Sequence, residues 1–469
     1  MLLWLEWYRC VSVFRPSCKD KRTWVMFVLI MVGLAVREEV VGVTSIVRAL
    51  GLADRTYKCL LHFFHSRAFN LEAATRIWLK FVFARFSPVE ESGFCVLLGD
   101  GIKVGKEGKK MPAVKSLHQE SNDNTKPEYI MGHSFQALAF LAQACQNVFA
   151  VPLISRIHEG IVRSNRDQRT TVDHMAQMLR ELICDIGRPI IFVADNFYGN
   201  EKIIRALKLV QSFVVSRLRS NATAEHPAQR KPKAERGPGR PPTYGEKVSL
   251  AKLFRKRHLF TEAPSPVYGE DGVDIRYYCI NLLWRPVGDF VRFVLVAHPS
   301  RGNIILMTTK LDLDPLRVIA LYGYRWKIEV SFKVALHVIG AYAYHFWMKE
   351  MDKIRRGSGD QYLHRKSKDY RDQVTRKVEA YHRFVQLGCI AHGLHQYLAA
   401  TMMDQVWGCF RSWLRTMKKH QMPSELVTSY ALRSSLPGFL LRAPEGHDIA
   451  KFLSMHADPE RMLAKAMVA

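Results

Sequence analysis

The hydrophobic pattern of this chain changes period three times. From residue 1 to 88 apolar residues recur at helical spacing, for example through TSIVRAL (44–50), where Gly51 interrupts the run. Asp54 is placed to N-cap a second helix, RTYKCLLHFFHSR. Two short helices about a glycine turn, the second basic, suit a helix-turn-helix and equally an ordinary helical hairpin. The apolar run WVMFVLIMVGLAV (24–36) is shorter than the roughly 20 residues that span a bilayer, and it reads as a buried helix. Glu6 lies early and no cationic segment leads into an apolar one, so no signal peptide is expected.

From residue 92 the pattern becomes strand-like. GFCVLLGD (93–100) and RPIIFVADNFYGN (188–200) are each an apolar run that ends in an acid, which is the signature of a buried strand. GIKVGKEGKK, directly after Asp100, reads as a hairpin turning at Gly105 and Gly108. Residues 136–158 supply more strand. TTVDHMAQMLRELICDIG (170–187) is an amphipathic helix stopped by Gly187, and QSFVVSRLRSN is another strand. Strands alternating with helices indicate an α/β domain with a partly parallel sheet.

Residues 222–258 break the alternation with a segment rich in Pro, Gly, Lys and Arg. Within it RGPGRPP (236–242), which includes Arg240, resembles arginine–proline elements that lie in AT-rich minor grooves, and it reads as a solvated basic loop on phosphates. VDIRYYCINLLW (273–284) and DFVRFVLVAH (289–298) then read as paired strands, followed by NIILMTTKL (303–311). Residues 314–341 read as one long helix with Asp314 as N-cap and Pro315 at its first position. A polar stretch (355–377) precedes a helical C-terminal region. The organisation expected is a helical region (1–88), an α/β region in two parts (89–221 and 301–348) around a basic loop and β-rich insertion (222–300), and a second helical region (349–469).

Composition narrows the partner. The 469 residues are 48% apolar and carry a formal net charge of +26, the balance of a globular protein that meets a polyanion. The polyanion is nucleic acid or an acidic membrane surface. The nine cysteines are dispersed without a CxxC pair, which argues against a zinc ribbon and for reduced thiols in a cytosolic compartment.

The candidate chemistry lies in three acids. Asp100 and Asp195 would lie about 4.8 Å apart if their strands are parallel neighbours, and two carboxylates so close repel unless a cation sits between them. Hard oxygen ligands of this kind suit Mg²⁺ or Mn²⁺. The third acid, Glu329, is set in YGYRWKIEVSFK (322–333). On a continuous helix Tyr322, Arg325, Glu329 and Lys333 share one polar face. That face reads either as a metal ligand with phosphate-gripping cations or as an intrahelical ion pair.

With these residues in view the chain resembles the DDE transposases of bacterial insertion sequences, in particular the group with a Y-x2-R-x3-E-x6-K signature. Tyr322, Arg325 and Glu329 fit that spacing, and Trp326 suits it. Leu336 stands where the signature has lysine, and Lys333 lies one turn after Glu329. The resemblance implies an α/β fold with a ribonuclease H-like core interrupted by a β-rich insertion. It implies Asp100, Asp195 and Glu329 as catalytic acids and ligands of two Mg²⁺ ions, with Mn²⁺ as substitute. Tyr322, Arg325, Trp326, Lys333, Lys103 and Arg240 are the DNA contacts expected with it, and Trp284 or Phe293 would stack an unpaired base unless it is a core residue. The partners implied are double-stranded DNA with terminal inverted repeats, target DNA and a second copy of the chain in the synapse, with no membrane, in a bacterial cytoplasm. The alternatives are a catalytically inactive DNA-binding protein and a metal-dependent nuclease that does not join ends.

Overall fold

Thr23 through Val36 are all buried on the helix Lys21–Val36, so this segment is a core rod and not a membrane span. Asp20 caps it by accepting from the Thr23 amide at 2.8 Å. In the computed structural model, which describes residues 1–119, 127–229, 240 and 242–461, the chain divides into two compact units. The first comprises residues 1–89, 101–168 and 328–469, the second 90–100 and 169–327. One strand, Phe94–Gly105, and one helix, Trp326–Val334, run through the division.

In the first unit the helices Gly42–Leu50, Asp54–His65, Lys368–Thr401, Glu425–Arg442 and Asp448–His456 surround the buried rod. Gly51 ends the third helix of the chain in the left-handed conformation, as its position in the pattern predicts. Asp54 does not cap the next helix. It is the first helical residue, and its carboxylate pairs with Arg461 at 2.6 Å. Strands Tyr129–Ala144 and Asn147–Ile157 form a hairpin closed by Cys145 and Gln146, at φ 48° and 63°. Two successive positive φ values match the right-handed twist of the strands. The helix Lys368–Thr401 lies on the second of these strands.

In the second unit, Cys95–Gly99 pairs in parallel with Ile190–Ala194, which pairs in parallel with Phe213–Arg217. The sheet continues antiparallel through Gly302–Thr308, Asp289–His298, Asp274–Trp284, Thr223–Pro227 and Tyr244–Ser249. The strands expected at 273–284 and 289–298 are paired, and they extend this sheet edge to edge. Thr171–Ile186 is the amphipathic helix expected. Thr170 and Asp173 form a capping box at its start, and Gly187 stops it at φ 72°.

Two further expectations fail. The hairpin after Asp100 is absent, because Phe94–Gly105 is one uninterrupted strand. Ile102 and Val104 are buried while Gly101, Lys103 and Gly105 are exposed, an alternation that keeps the chain extended. The single helix 314–341 is three pieces. Pro315–Gly323 begins on the expected Asp314 cap. Tyr324 and Arg325 form a turn, Trp326–Val334 resumes the helix, and Ala335–Ile339 widens into a π turn before Gly340 at φ 67°. The break follows Gly323, where a Cβ would lie 2.9 Å from Val267 Cγ1, so the neighbouring loop occupies the space that a side chain would fill. All nine cysteines are free.

Candidate active site

Strand register places the first two acids. Gly99 is paired with Ala194, so Asp100 and Asp195 are the next residues on neighbouring parallel strands. Their backbones are therefore separated by about one strand spacing, roughly 4.8 Å. Asp195 lies just past the end of its strand, as predicted, whereas Asp100 lies within its own. Asp195 Oδ1 accepts from the Phe197 amide at 3.0 Å, and the Asp195 carbonyl accepts from Ser216 Oγ at 2.7 Å. The next strand of the sheet thus fixes the turn that carries this carboxylate.

Arg325 donates from Nη1 to Asp100 Oδ2 at 3.0 Å. Both side chains are largely shielded, 22% and 17% exposed, so water screens this pair less than a surface pair. Tyr322 lies in the same cluster. Burial pushes its phenol up, the positive charges of Arg325 and Arg217 pull it down, and Asp195 pushes it up again, for a net rise. The second unit therefore brings together Asp100, Asp195, Tyr322, Arg325 and Arg217.

The other predicted residues fall as follows. Glu329 and Lys333 are exposed and four apart on the Trp326–Val334 helix, hence on one face of it. Trp326 is partly exposed, and Lys327 Nζ sits 4.4 Å from the ring centroids of both Trp326 and Tyr268. Lys103 is exposed and donates to the His118 carbonyl at 2.7 Å. Arg240 is exposed, while the rest of RGPGRPP apart from Pro242 lies outside the described residues. Phe293 is completely buried between its neighbouring strands and has no face to offer a base. Trp284 is buried too, but it lines a cleft of about 900 Å³ together with Asn196, Phe197, Arg219, Lys247 and Arg285.

Sequence reading missed Arg217, Ser216 and this cleft. Arg217 ends the run SFVVSR as Asp195 ends IIFVAD, but only the sheet order shows that the two runs are neighbours.

Asp100 and Asp195 fit a divalent cation in donor chemistry. They are hard oxygen ligands from adjacent strands, and Mg²⁺ is commonly held by one or two carboxylates with water and substrate phosphates completing its shell. The guanidinium on Asp100 shows that the pair already draws a positive charge. Among the described residues no group of three or more His, Cys, Asp or Glu side chains is gathered to hold a metal.

A family model described as DDE superfamily endonuclease matches residues 13–262. The chain belongs to this superfamily. No curated protein matches the chain. The matched stretch carries Asp100, Asp195 and Arg217 and ends before Tyr322. As a DDE endonuclease the protein is a transposase-type nuclease acting on DNA, of a family that generally uses divalent metals. Among the described residues no helix is long and apolar enough to cross a membrane.

Proposed function

We propose that this DDE endonuclease is the transposase of a bacterial insertion sequence, with a ribonuclease H-like core. It binds terminal inverted repeats, cuts at the element ends and joins them to target DNA. The observation that carries the reading is the pair Asp100 and Asp195 on neighbouring strands, faced by Arg325 and Tyr322. Asp100 and Asp195 would hold divalent cations, with Glu329 as the third acid. When bound there, such ions would supply activation of a water or 3′-hydroxyl and stabilisation of the leaving oxygen.

The chain's own cations do the positioning. Arg325 and Arg217 present guanidinium groups beside the acids, and guanidinium matches phosphate geometry with paired donors. Tyr322, with its phenol pushed up, stays protonated and can donate to a phosphate oxygen. Lys333, one turn beyond Glu329, takes the place of the signature lysine, and Trp326, Lys103 and Arg240 widen the DNA footprint. The net charge of +26 favours the duplex as a whole. The exposed Arg55, Lys58 and His62 of the Asp54–His65 helix suit end recognition by the N-terminal region. The C-terminal helices pair two copies in the synapse.

The test is incubation of purified protein with duplex carrying the element end, with Mg²⁺ and a target plasmid. Cleavage followed by joining supports the proposal. Cleavage without joining identifies a nuclease only, and binding alone an inactive DNA-binding protein; either result overturns it.

A further inference from the structure

The contact between Arg325 and Asp100 sets two requirements against each other, and the inference drawn from it rests on the reading of this site as a metal-dependent DNA-cutting centre. Asp100 is needed by the cation, and Arg325 is the best placed group for a DNA phosphate. In this structure they hold each other, Nη1 to Oδ2 at 3.0 Å, in surroundings that leave each about four-fifths shielded. We propose that Arg325 occupies the cation position on Asp100 until DNA draws it away, so that divalent-cation binding and DNA binding strengthen one another through the exchange of this one ion pair.

The local structure suits such an exchange. Arg325 sits in the two-residue turn between Pro315–Gly323 and Trp326–Val334, where the helical hydrogen-bond ladder is interrupted. Its amide bonds only three residues back, to the Tyr322 carbonyl at 3.0 Å. Asp100, by contrast, lies within a continuous strand whose preceding five residues are fully buried. The acid is therefore fixed, and the guanidinium, on a long side chain rooted in a turn, is the partner able to move. Asp195 and Arg217 flank the same phenol of Tyr322, so a phosphate entering beside Tyr322 meets two guanidinium groups. A cation on Asp100 frees Arg325 for that phosphate, and a phosphate on Arg325 frees Asp100 for the cation. Without the exchange each ligand must break the pair alone; with it one rupture serves both. Linkage requires the enhancement to be equal in the two directions.

The probe is Mn²⁺, titrated into the full chain by calorimetry or by the electron paramagnetic resonance of free ion, with and without a short duplex. Asp100→Ala reports the background of ions bound elsewhere, including on DNA. Above that background, Arg325→Ala without DNA should bind Mn²⁺ about fivefold or more tightly than the native chain. Duplex should tighten Mn²⁺ binding to the native chain by a similar factor and leave Arg325→Ala unchanged. Arg325→Lys, which keeps the charge on a shorter and less directional group, should fall between and guards against misfolding of the alanine variant. The proposal is overturned if Arg325→Ala binds Mn²⁺ no more tightly than the native chain, or if DNA enhances both equally. If Asp100→Ala removes no bound Mn²⁺, the metal reading of Asp100 itself fails, and the exchange with it.

Discussion

Two carboxylates on adjacent strands should strain the metal-free protein, and the strain can be measured without any catalysis. At about 5 Å, two unit charges repel by roughly 0.8 kcal/mol in water and about 3 kcal/mol at an effective dielectric constant of 20. Asp100 is partly shielded and Arg325 masks only part of its charge, so the relief from removing one charge should be about 1 kcal/mol. Asp195→Asn removes that charge while its side-chain oxygen can still accept from the Phe197 amide. It should raise the melting temperature in EDTA by about 2–4 °C for a unit of this size. Arg325→Ala acts in the opposite sense. It leaves Asp100 without its guanidinium and exposes it to the whole repulsion of Asp195, a loss of about 1–3 kcal/mol. The double variant Asp195→Asn/Arg325→Ala should lose less than Arg325→Ala alone, because the repulsion that Arg325 masks is then gone. Tryptophan-fluorescence melting in EDTA reads all four proteins. Repulsion between the two acids is ruled out if Asp195→Asn destabilises the metal-free protein as much as Arg325→Ala does.

Three further predictions concern the support of the site and the grip on DNA. Gly323→Ala should lower stability by about 1–3 kcal/mol, since its Cβ would meet Val267 Cγ1 at 2.9 Å, and Val267→Ala should restore most of the loss in a chemical denaturation assay. Lys106 is pushed by burial to about 7, well below the range of a lysine in the unfolded chain. Between those values the unfolded chain binds more protons, so stability should rise as pH goes from about 7 to 9, and Lys106→Met should flatten that rise in equilibrium unfolding. Arg325→Ala should weaken binding of end DNA and lower the slope of log K against log salt by about 0.9, as expected for one lost phosphate contact, in a fluorescence-anisotropy titration.

The acid pair was legible because buried parallel strands read as unbroken apolar runs, and CVLLGD and IIFVAD each stop at a carboxylate. The helix Thr171–Ile186 was legible from its amphipathic spacing and from Gly187 as its stop, while the capping box of Thr170 and Asp173 emerged only in the structure. The hairpin misread after Asp100 came from weighting Gly105 and Gly108 as turn signals over the alternation of Ile102 and Val104. The broken helix after Asp314 escaped notice because apolar spacing survives a two-residue turn, and the loop carrying Val267, which packs against Gly323 beside the break, is distant in sequence. Arg217 could not be found by pattern at all. Its relation to Tyr322 and Asp195 depends on strand order and on a helix that returns some hundred residues later.

The catalytic role proposed for Asp100 and Asp195 can be read from cleavage itself. Its most direct test is Mg²⁺-dependent cleavage of a labelled element-end duplex by the native chain, Asp100→Ala and Asp195→Ala, at protein concentrations where a mobility-shift assay shows all three bound. Cleavage is expected from the native chain and none from either variant, with end binding largely retained. Native-like cleavage by either variant would contradict it.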